Sequence, residues 1–499
     1  MIMVRLKNYL GETLDVGGYS KEYLIPFGKL VKGTIASSVV TENASSNMVI
    51  MKDAMCMPYA KAVLTLHLPV DYTALVYYGN PDGRTGDTTH VSDSVSTSLS
   101  DGDTFTFPYN DDTEWHKEYY YRIAFVKTGI QLSDVQTLIA NGDISVECDK
   151  PEDDVIEMNT DALAKVTALS WNIVLGDDDA TTKQYPIIVQ VSDLHSDAIR
   201  YARSIKVAEY LGASIVNTGD NVAQCAKDGF SWPFELVKDT ELFPIAAQGN
   251  HDAVFMTQAS FETAFYTDWY NKYGYSRLGA YYYKDDDTHK IRYICLNSCD
   301  YTGTDSASTY RINKISPTQQ LWYAQALLAT PENYKVVVCV HQPLGLISDN
   351  AQYDTFVSER ALKTSETVTD GGSQIIAITD AFIDGSSITV NGTSVDFSGK
   401  NTGAEFVMYI NGHTHADYIG YIASASNLQL QCTIGTGCVF VGKGFTYDYI
   451  PRNLGAGKIQ DLINAYVVDG DSGVVHIVRV GASMTTTGDV RDAMTIPYK

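Results

Sequence analysis

The chain has 499 residues and a mass of 54.8 kDa, too long for one ordinary core, so it divides into two or three domains. Lys and Arg number 36 against 60 Asp and Glu, a formal net charge of −24. That balance argues against an extended nucleic-acid groove or an anionic membrane surface as partner, because both call for a basic face. A small phosphorylated ligand held at a local cation stays open. Hydrophobic residues make up 44% and charged residues 19%, a composition that can fill large cores.

The first twenty residues, MIMVRLKNYLGETLDVGGYS, contain no apolar stretch of signal-peptide length. No run of about 18 apolar residues occurs, so no membrane span is expected. Synthesis in the cytoplasm is the expectation, with later release by lysis or assembly into a particle left open. Eight cysteines are scattered without a CxxC pair, and only Cys295 and Cys299 lie close together. They read as small buried thiols in a reducing compartment rather than a disulfide framework or zinc knuckle.

Residues 1–178 read as a β-rich accessory domain. Short alternating runs recur at 62–70, 74–79, 103–109 and 119–127, separated by Gly/Asp/Ser turns. That pattern predicts an antiparallel sandwich or a jelly-roll-like domain. The 34 tyrosines of the chain suit half-buried strands first, and sugar-binding faces second. The polar stretch 175–186 is the best linker candidate.

From about residue 183 to 499 the grammar changes. Continuous apolar strands at 186–192, 214–219, 243–249, 289–298, 334–340 and 406–412 alternate with amphipathic helices such as 197–212 and 317–329. This predicts a layered α/β fold with mainly parallel central strands. Closing strands follow at 428–437, 463–469 and 474–480. Residues 345–402 read as an insertion containing a helix and a small hairpin at 387–398.

The chemistry sits at the ends of these strands. In order come Asp193 and His195 (SDLHSD), Asp220 (TGDN), Asn250, His251 and Asp252 (QGNHDA), His341 (CVHQP), and His413 and His415 (NGHTHAD). Each block follows directly on an apolar strand, where open α/β sheets bind ligands. Asp193/His195 and His413/His415 have i, i+2 spacing, so each pair can point to one side of an extended chain. Imidazole, carboxylate and amide donors together suit Mn, Fe, Zn or similar divalent metals. Taken singly, each histidine is better read as an ordinary core or surface residue; five ordered blocks are not.

D-x-H, G-D, G-N-H-D, a lone His after a strand and G-H-x-H, in that order, resemble the calcineurin-like metallophosphoesterase family over about residues 185–480. The steps between blocks are 27, 30, 91 and 72 residues. The resemblance implies a βαβ sandwich and two divalent metal ions. It implies that Asp193, His195 and His415 hold the first metal, that Asn250, His341 and His413 hold the second, and that Asp220 bridges both. It also implies that His251 sits over the phosphate and protonates the leaving oxygen, oriented by Asp252, while a hydroxide shared by the metals attacks phosphorus.

The implied activity is hydrolysis of a phosphomonoester or phosphodiester, in a small molecule or a phosphate-containing polymer. The β-rich domain, weakly similar to accessory modules of bacterial surface and phage-tail proteins, would contact carbohydrate or protein. The rival reading is a binding or structural protein of such an assembly with a vestigial phosphoesterase domain. Asp417, after GHTHA, reads equally as a partner of a ligand histidine or as a loop cap. Asn221 reads as shaping its loop, Asp285–Asp287 as a solvated turn, and Trp232 and Phe234 as core. A piece starting near residue 183 is expected to fold alone. The metal, the substrate and the oligomeric state are not fixed by the sequence.

Overall fold

The fold comes from a computed structural model. It describes residues 4–7, 13–16, 29–36, 39–52, 55–56, 63–78, 97–107, 120–147, 155–175, 180–194, 198–221, 231–253, 258–276, 280–300, 314–347, 371–400, 403–414, 417–434, 462–481, 484–486 and 489–499.

The α/β part is built on two six-stranded mixed sheets. The first contains β1 (Ile187–Val191), β2 (Ser214–Asn217) and β3 (Pro244–Ala246). The second contains β4 (Tyr282–Asp286), β5 (Ile291–Cys295), β6 (Lys335–Cys339), β7 (Glu405–Asn411), β8 (Tyr418–Tyr421) and β9 (Leu430–Thr433). β10 (Leu462–Asp469), β11 (Val474–Gly481) and β12 (Ala493–Pro497) return to the first. The strand orders are β3-β2-β1-β10-β11-β12 and β4-β5-β6-β7-β9-β8. β1, β2 and β3 are parallel, as are β5, β6, β7 and β9; β10, β11, β12, β4 and β8 pair antiparallel. The expected parallel centre is present, and antiparallel strands close it.

Period-2 alternation sorts the second sheet into two faces. Tyr293, Cys295, Val337 and Cys339 enter a core shared with the first sheet. Ile294, Val336 and Val338 point the other way and pack with helices α4 (Pro317–Leu328) and α5 (Gly372–Asp384). Ser316 accepts a hydrogen bond from the Gln319 amide and Pro317 opens α4, so the helix start is set locally. On the first sheet Ile188, Tyr466 and Ile477 are register partners in the shared core. Helix α2 (Ala198–Leu211) lies against β1. The hairpin expected at 387–398 forms over Ser387–Val390 and Thr393–Asp396; residues 348–370 of the insertion lie outside the described residues.

The β-rich part holds a seven-stranded antiparallel sheet with Leu30–Ala36, Met48–Met51, Thr73–Tyr78 and Tyr120–Val126 at its centre. A three-stranded sheet of Val63–Leu66, Thr104–Thr106 and Ile144–Glu147 accompanies it. Val49, Met51, Leu64, Leu66, Ile123 and Phe125 are buried together.

Three features differ from the sequence expectation. A helix runs over Leu132–Asn141, its first turn tied by the Gln131 amide donating to Asp134 at 3.0 Å and its end turned by Gly142 at φ 81°. A second, α1 (Thr160–Ser170), lies on β10 and β11 with Leu163 and Val166 buried. The stretch expected to be a linker contributes strand residues on both of its described sides: Trp171–Leu175 pairs with Ala180–Gln184. The polarity of 175–186 misleads because a two-stranded sheet need not bury either face. Among the described residues no helix is long and apolar enough to cross a membrane.

Candidate metal centre

Backbone strain marks the ends of the strands. Six described non-glycine residues have positive φ, and three are Asp193 (52°), Asp220 (51°) and His413 (69°). Such conformations cost free energy and persist only where the surroundings dictate them. Each turns the chain at a strand exit. Asp193 follows β1, Asp220 follows β2 and His413 follows β7.

The motif glycines have a steric reason. A Cβ at Gly249 would lie 2.1 Å from the Asp220 nitrogen and 2.2 Å from its Oδ1. One at Gly412 would lie 1.8 Å from Ser192 Oγ and 2.5 Å from Asp193 Oδ2. The loops that carry Asn250 and His413 therefore press directly on the two aspartates, and only glycine permits it.

Asp220, His341 and His413 bring one donor atom each to within 4.8 Å of one another. His341 is fully buried. Its Nδ1 donates to the Thr218 carbonyl at 2.8 Å, which leaves Nε2 directed at Asn250 Oδ1 (3.0 Å) and Asp220 Oδ2 (3.3 Å). A ring nitrogen pinned by a backbone carbonyl is the usual way to orient a metal-binding imidazole. Burial pulls the His341 pKa down, but the Asp220 carboxylate outweighs it and the imidazole sits up at about 9. A proton or a divalent ion at Nε2 would each satisfy the facing Asp220 carboxylate. The rings of His341 and His413 meet edge to face, 5.0 Å apart. This donor set fits a borderline divalent metal.

The remaining site residues divide. Asp193 accepts the His413 amide on both oxygens, at 3.1 and 3.0 Å. The His251 amide donates to Asp220 Oδ1 at 2.8 Å, and the His251 side chain is partly exposed. Asp252 is fully buried and accepts from the Gly249 amide at 2.8 Å and from Asn221 Nδ2 at 2.9 Å. Asn221, expected only to shape its loop, therefore anchors the GNHD turn as well. His195 and His415 lie outside the described residues, as does Asp197.

β3 leads into that turn, and it is an edge strand. The Ala246 carbonyl accepts from Tyr266 (3.0 Å) and Tyr282 (2.9 Å) hydroxyls, so its outer side is satisfied without a further strand. Tyr266 stands at the end of a π-helical turn, Glu262–Tyr266.

Several contributors were missed in the sequence. Asn411 Nδ2 donates to the carbonyls of Val340 (2.9 Å) and Gln342 (3.2 Å), on either side of His341. Asp417 pairs with buried Arg479, a partner the sequence did not suggest. The Asp285–Asp287 run is not a solvated turn. Asp285 pairs with Arg292, Asp286 is buried and bonds His289, and Asp287 accepts from Tyr334. Trp232 and Phe234 are core aromatics, against Tyr201 and Trp269 respectively. Cys295, Cys339 and Cys432 are free and buried thiols, as expected, and Cys299 is buried as well.

Residues 187–417 match the family model described as calcineurin-like phosphoesterase. Over these residues the α/β part is similar to that family. Among solved structures, the chain aligns with a conserved uncharacterized protein from Streptococcus pneumoniae TIGR4, described as a predicted phosphoesterase. Identity is 10% over 62% of this chain and 97% of that one, with a TM-score of 0.24. So low a score supports no inference. A search among curated proteins found no match.

Proposed function

We propose that the phosphoesterase domain hydrolyses a phosphomonoester or phosphodiester with two divalent ions, and that the β-rich part binds or positions the substrate. The observation that supports it most is the convergence of Asp220, His341 and His413 with His341 Nδ1 already committed to a backbone carbonyl. Asn250, His341 and His413 would hold one ion, Asp193, His195 and His415 the other, and Asp220 would touch both. Divalent ions bound there supply Lewis acidity and a nucleophile available near neutral pH.

The chain's own residues do the rest. Asp193 fixes the His413 backbone, and Asp220 fixes the His251 backbone, so the donors and the acid move as one unit. His251, partly exposed at the rim, gives a proton to the leaving oxygen. Asp252 acts on His251 by holding the turn from which it projects. The substrate class is a phosphorylated small molecule or a phosphate-containing polymer.

The test is metal content together with turnover of a generic phosphomonoester and phosphodiester after reconstitution with Mn, Zn, Ni or Fe. Hydrolysis that follows metal content supports the reading. Bound metal without hydrolysis of either ester sinks the enzyme reading and leaves a binding protein.

A further inference from the structure

A chain of buried polar side chains runs beneath the metal cluster, across three strands of the first sheet. Asp417 accepts from Arg479 Nη2. Arg479 Nε donates to Asn464 Oδ1 at 2.8 Å, and Asn464 Nδ2 donates to the Tyr466 hydroxyl at 2.9 Å. The Tyr466 hydroxyl donates to Gln190 Oε1. Gln190 Nε2 then donates to two acceptors, Thr218 Oγ1 at 3.1 Å and the Asn411 carbonyl at 2.7 Å. Every member is buried.

Polar groups out of water are costly unless partnered, so a core filled this way demands a purpose beyond packing. The two ends of the chain supply one. Thr218 carries the carbonyl that fixes His341, and Asp220 lies two residues on. Asn411 closes β7, two residues before His413, and its side chain brackets His341. Asp417 lies two residues beyond His415. The network therefore reaches every segment that delivers Asp220, His341 and His413, and meets the His341 ring at the Thr218 carbonyl.

We propose that Gln190, Tyr466, Asn464, Arg479 and Asp417 form a positioning relay that sets the spacing of the strand ends and thereby the metal affinity of the Asp220, His341 and His413 cluster. This deepens the proposed function and rests on it. Gln190 is the branch point, because one amide group ties the exit of β2 to the exit of β7. Tyr466 holds that amide in the required orientation by engaging its oxygen.

The test is Mn binding by equilibrium dialysis on the full chain, alongside thermal stability. Tyr466→Phe deletes one hydroxyl and keeps the ring. Tyr323→Phe is the matched control: its hydroxyl is also buried, but bonds Thr379 on α5, in the core on the outer face of the second sheet. The relay predicts that Tyr466→Phe weakens Mn binding by roughly tenfold or more, while Tyr323→Phe loses stability without losing affinity. Thr218→Val, which removes the other hydroxyl on Gln190 but keeps the carbonyl on His341, should act like Tyr466→Phe and serves if that variant fails to fold. Unchanged Mn affinity in the folded relay variant overturns the proposal, and so does an equal loss in Tyr323→Phe. A wild-type chain that binds no Mn overturns the metal-site reading and the relay with it. Mn binding without hydrolysis overturns only the enzyme reading, and the relay is then judged on affinity alone.

Discussion

The two parts of the molecule bury different things. Among the described residues, the β-rich part from 29 to 147 buries two polar side chains, Ser46 and Arg122. Both have structural partners: Ser46 donates to the Gly33 carbonyl at 2.6 Å, and Arg122 donates to the Lys52 carbonyl at 3.3 Å. The phosphoesterase part buries Gln190, Asn217, Asn221, Gln248, His341, Asn411, Asn464, Arg479 and others. All six described non-glycine residues with positive φ also lie there. Stability alone favours apolar cores and relaxed backbone, as in the first part. Three of the six, Asp193, Asp220 and His413, stand at one set of strand ends beside buried polar groups, and there the departures mark where the fold serves chemistry.

The sharpest way to break this comparison is to cut between the parts. α1 lies on β10 and β11, and its Leu163 and Val166 join a core continuous with both halves. Removing two such side chains uncovers a face worth roughly 3–6 kcal/mol of apolar burial. A piece beginning near residue 183 should therefore be less soluble and melt lower than one beginning near residue 152, which keeps α1. Equal solubility and melting temperature of the two pieces would refute this packing argument. The polarity of 175–186 alone does not reveal that a helix covers the sheet.

A smaller effect isolates chemistry from structure. His251→Ala should keep both metals and its melting temperature, and lose about 10²- to 10⁴-fold in turnover. Loss of metal in that variant would make His251 a ligand and not an acid.

The smallest effect probes charge away from the site. His289 Nδ1 lies 2.7 Å from Asp286 Oδ2. Burial raises the Asp286 pKa, but the hydrogen bonds from His289 win and hold it below its usual 3.8. The same bond lifts His289 above 6.5, against burial. Asp286 therefore stabilises above about pH 4 and loses that contribution as pH falls through its folded pKa. His289 contributes fully below 6.5 and loses its share as pH rises through its raised value. The melting temperatures of wild type and His289→Ala should differ most near pH 5–6 and converge at alkaline pH. A gap independent of pH would mean the pair acts by packing alone.

Much of the phosphoesterase part was legible because its strands are continuous apolar runs ending in unusual residues. Asp220, Asn250, His341 and His413 could be picked out by type and order before any geometry. Gln190, Tyr466, Asn464 and Arg479 could not, because a polar residue inside a strand looks like an ordinary outward-facing one until the facing strand is known. Asp417 and Arg479 stand 62 residues apart, and only the return of β11 to the first sheet joins them. The helix at Leu132–Asn141 was in reach: Asp134, apolar residues at 132, 135, 138 and 139, and Gly142 are a helix pattern hidden by the β-rich flanks.

The central claim is that Asp220 is the shared acceptor of a two-metal cluster. Metal stoichiometry of the reconstituted chain, measured for wild type and Asp220→Asn in parallel, tests it most directly. The account predicts two divalent ions per wild-type chain, and loss of both metal and hydrolysis in Asp220→Asn with the fold retained. Full metal content and undiminished hydrolysis in Asp220→Asn, or a wild-type chain that binds no metal, would contradict it.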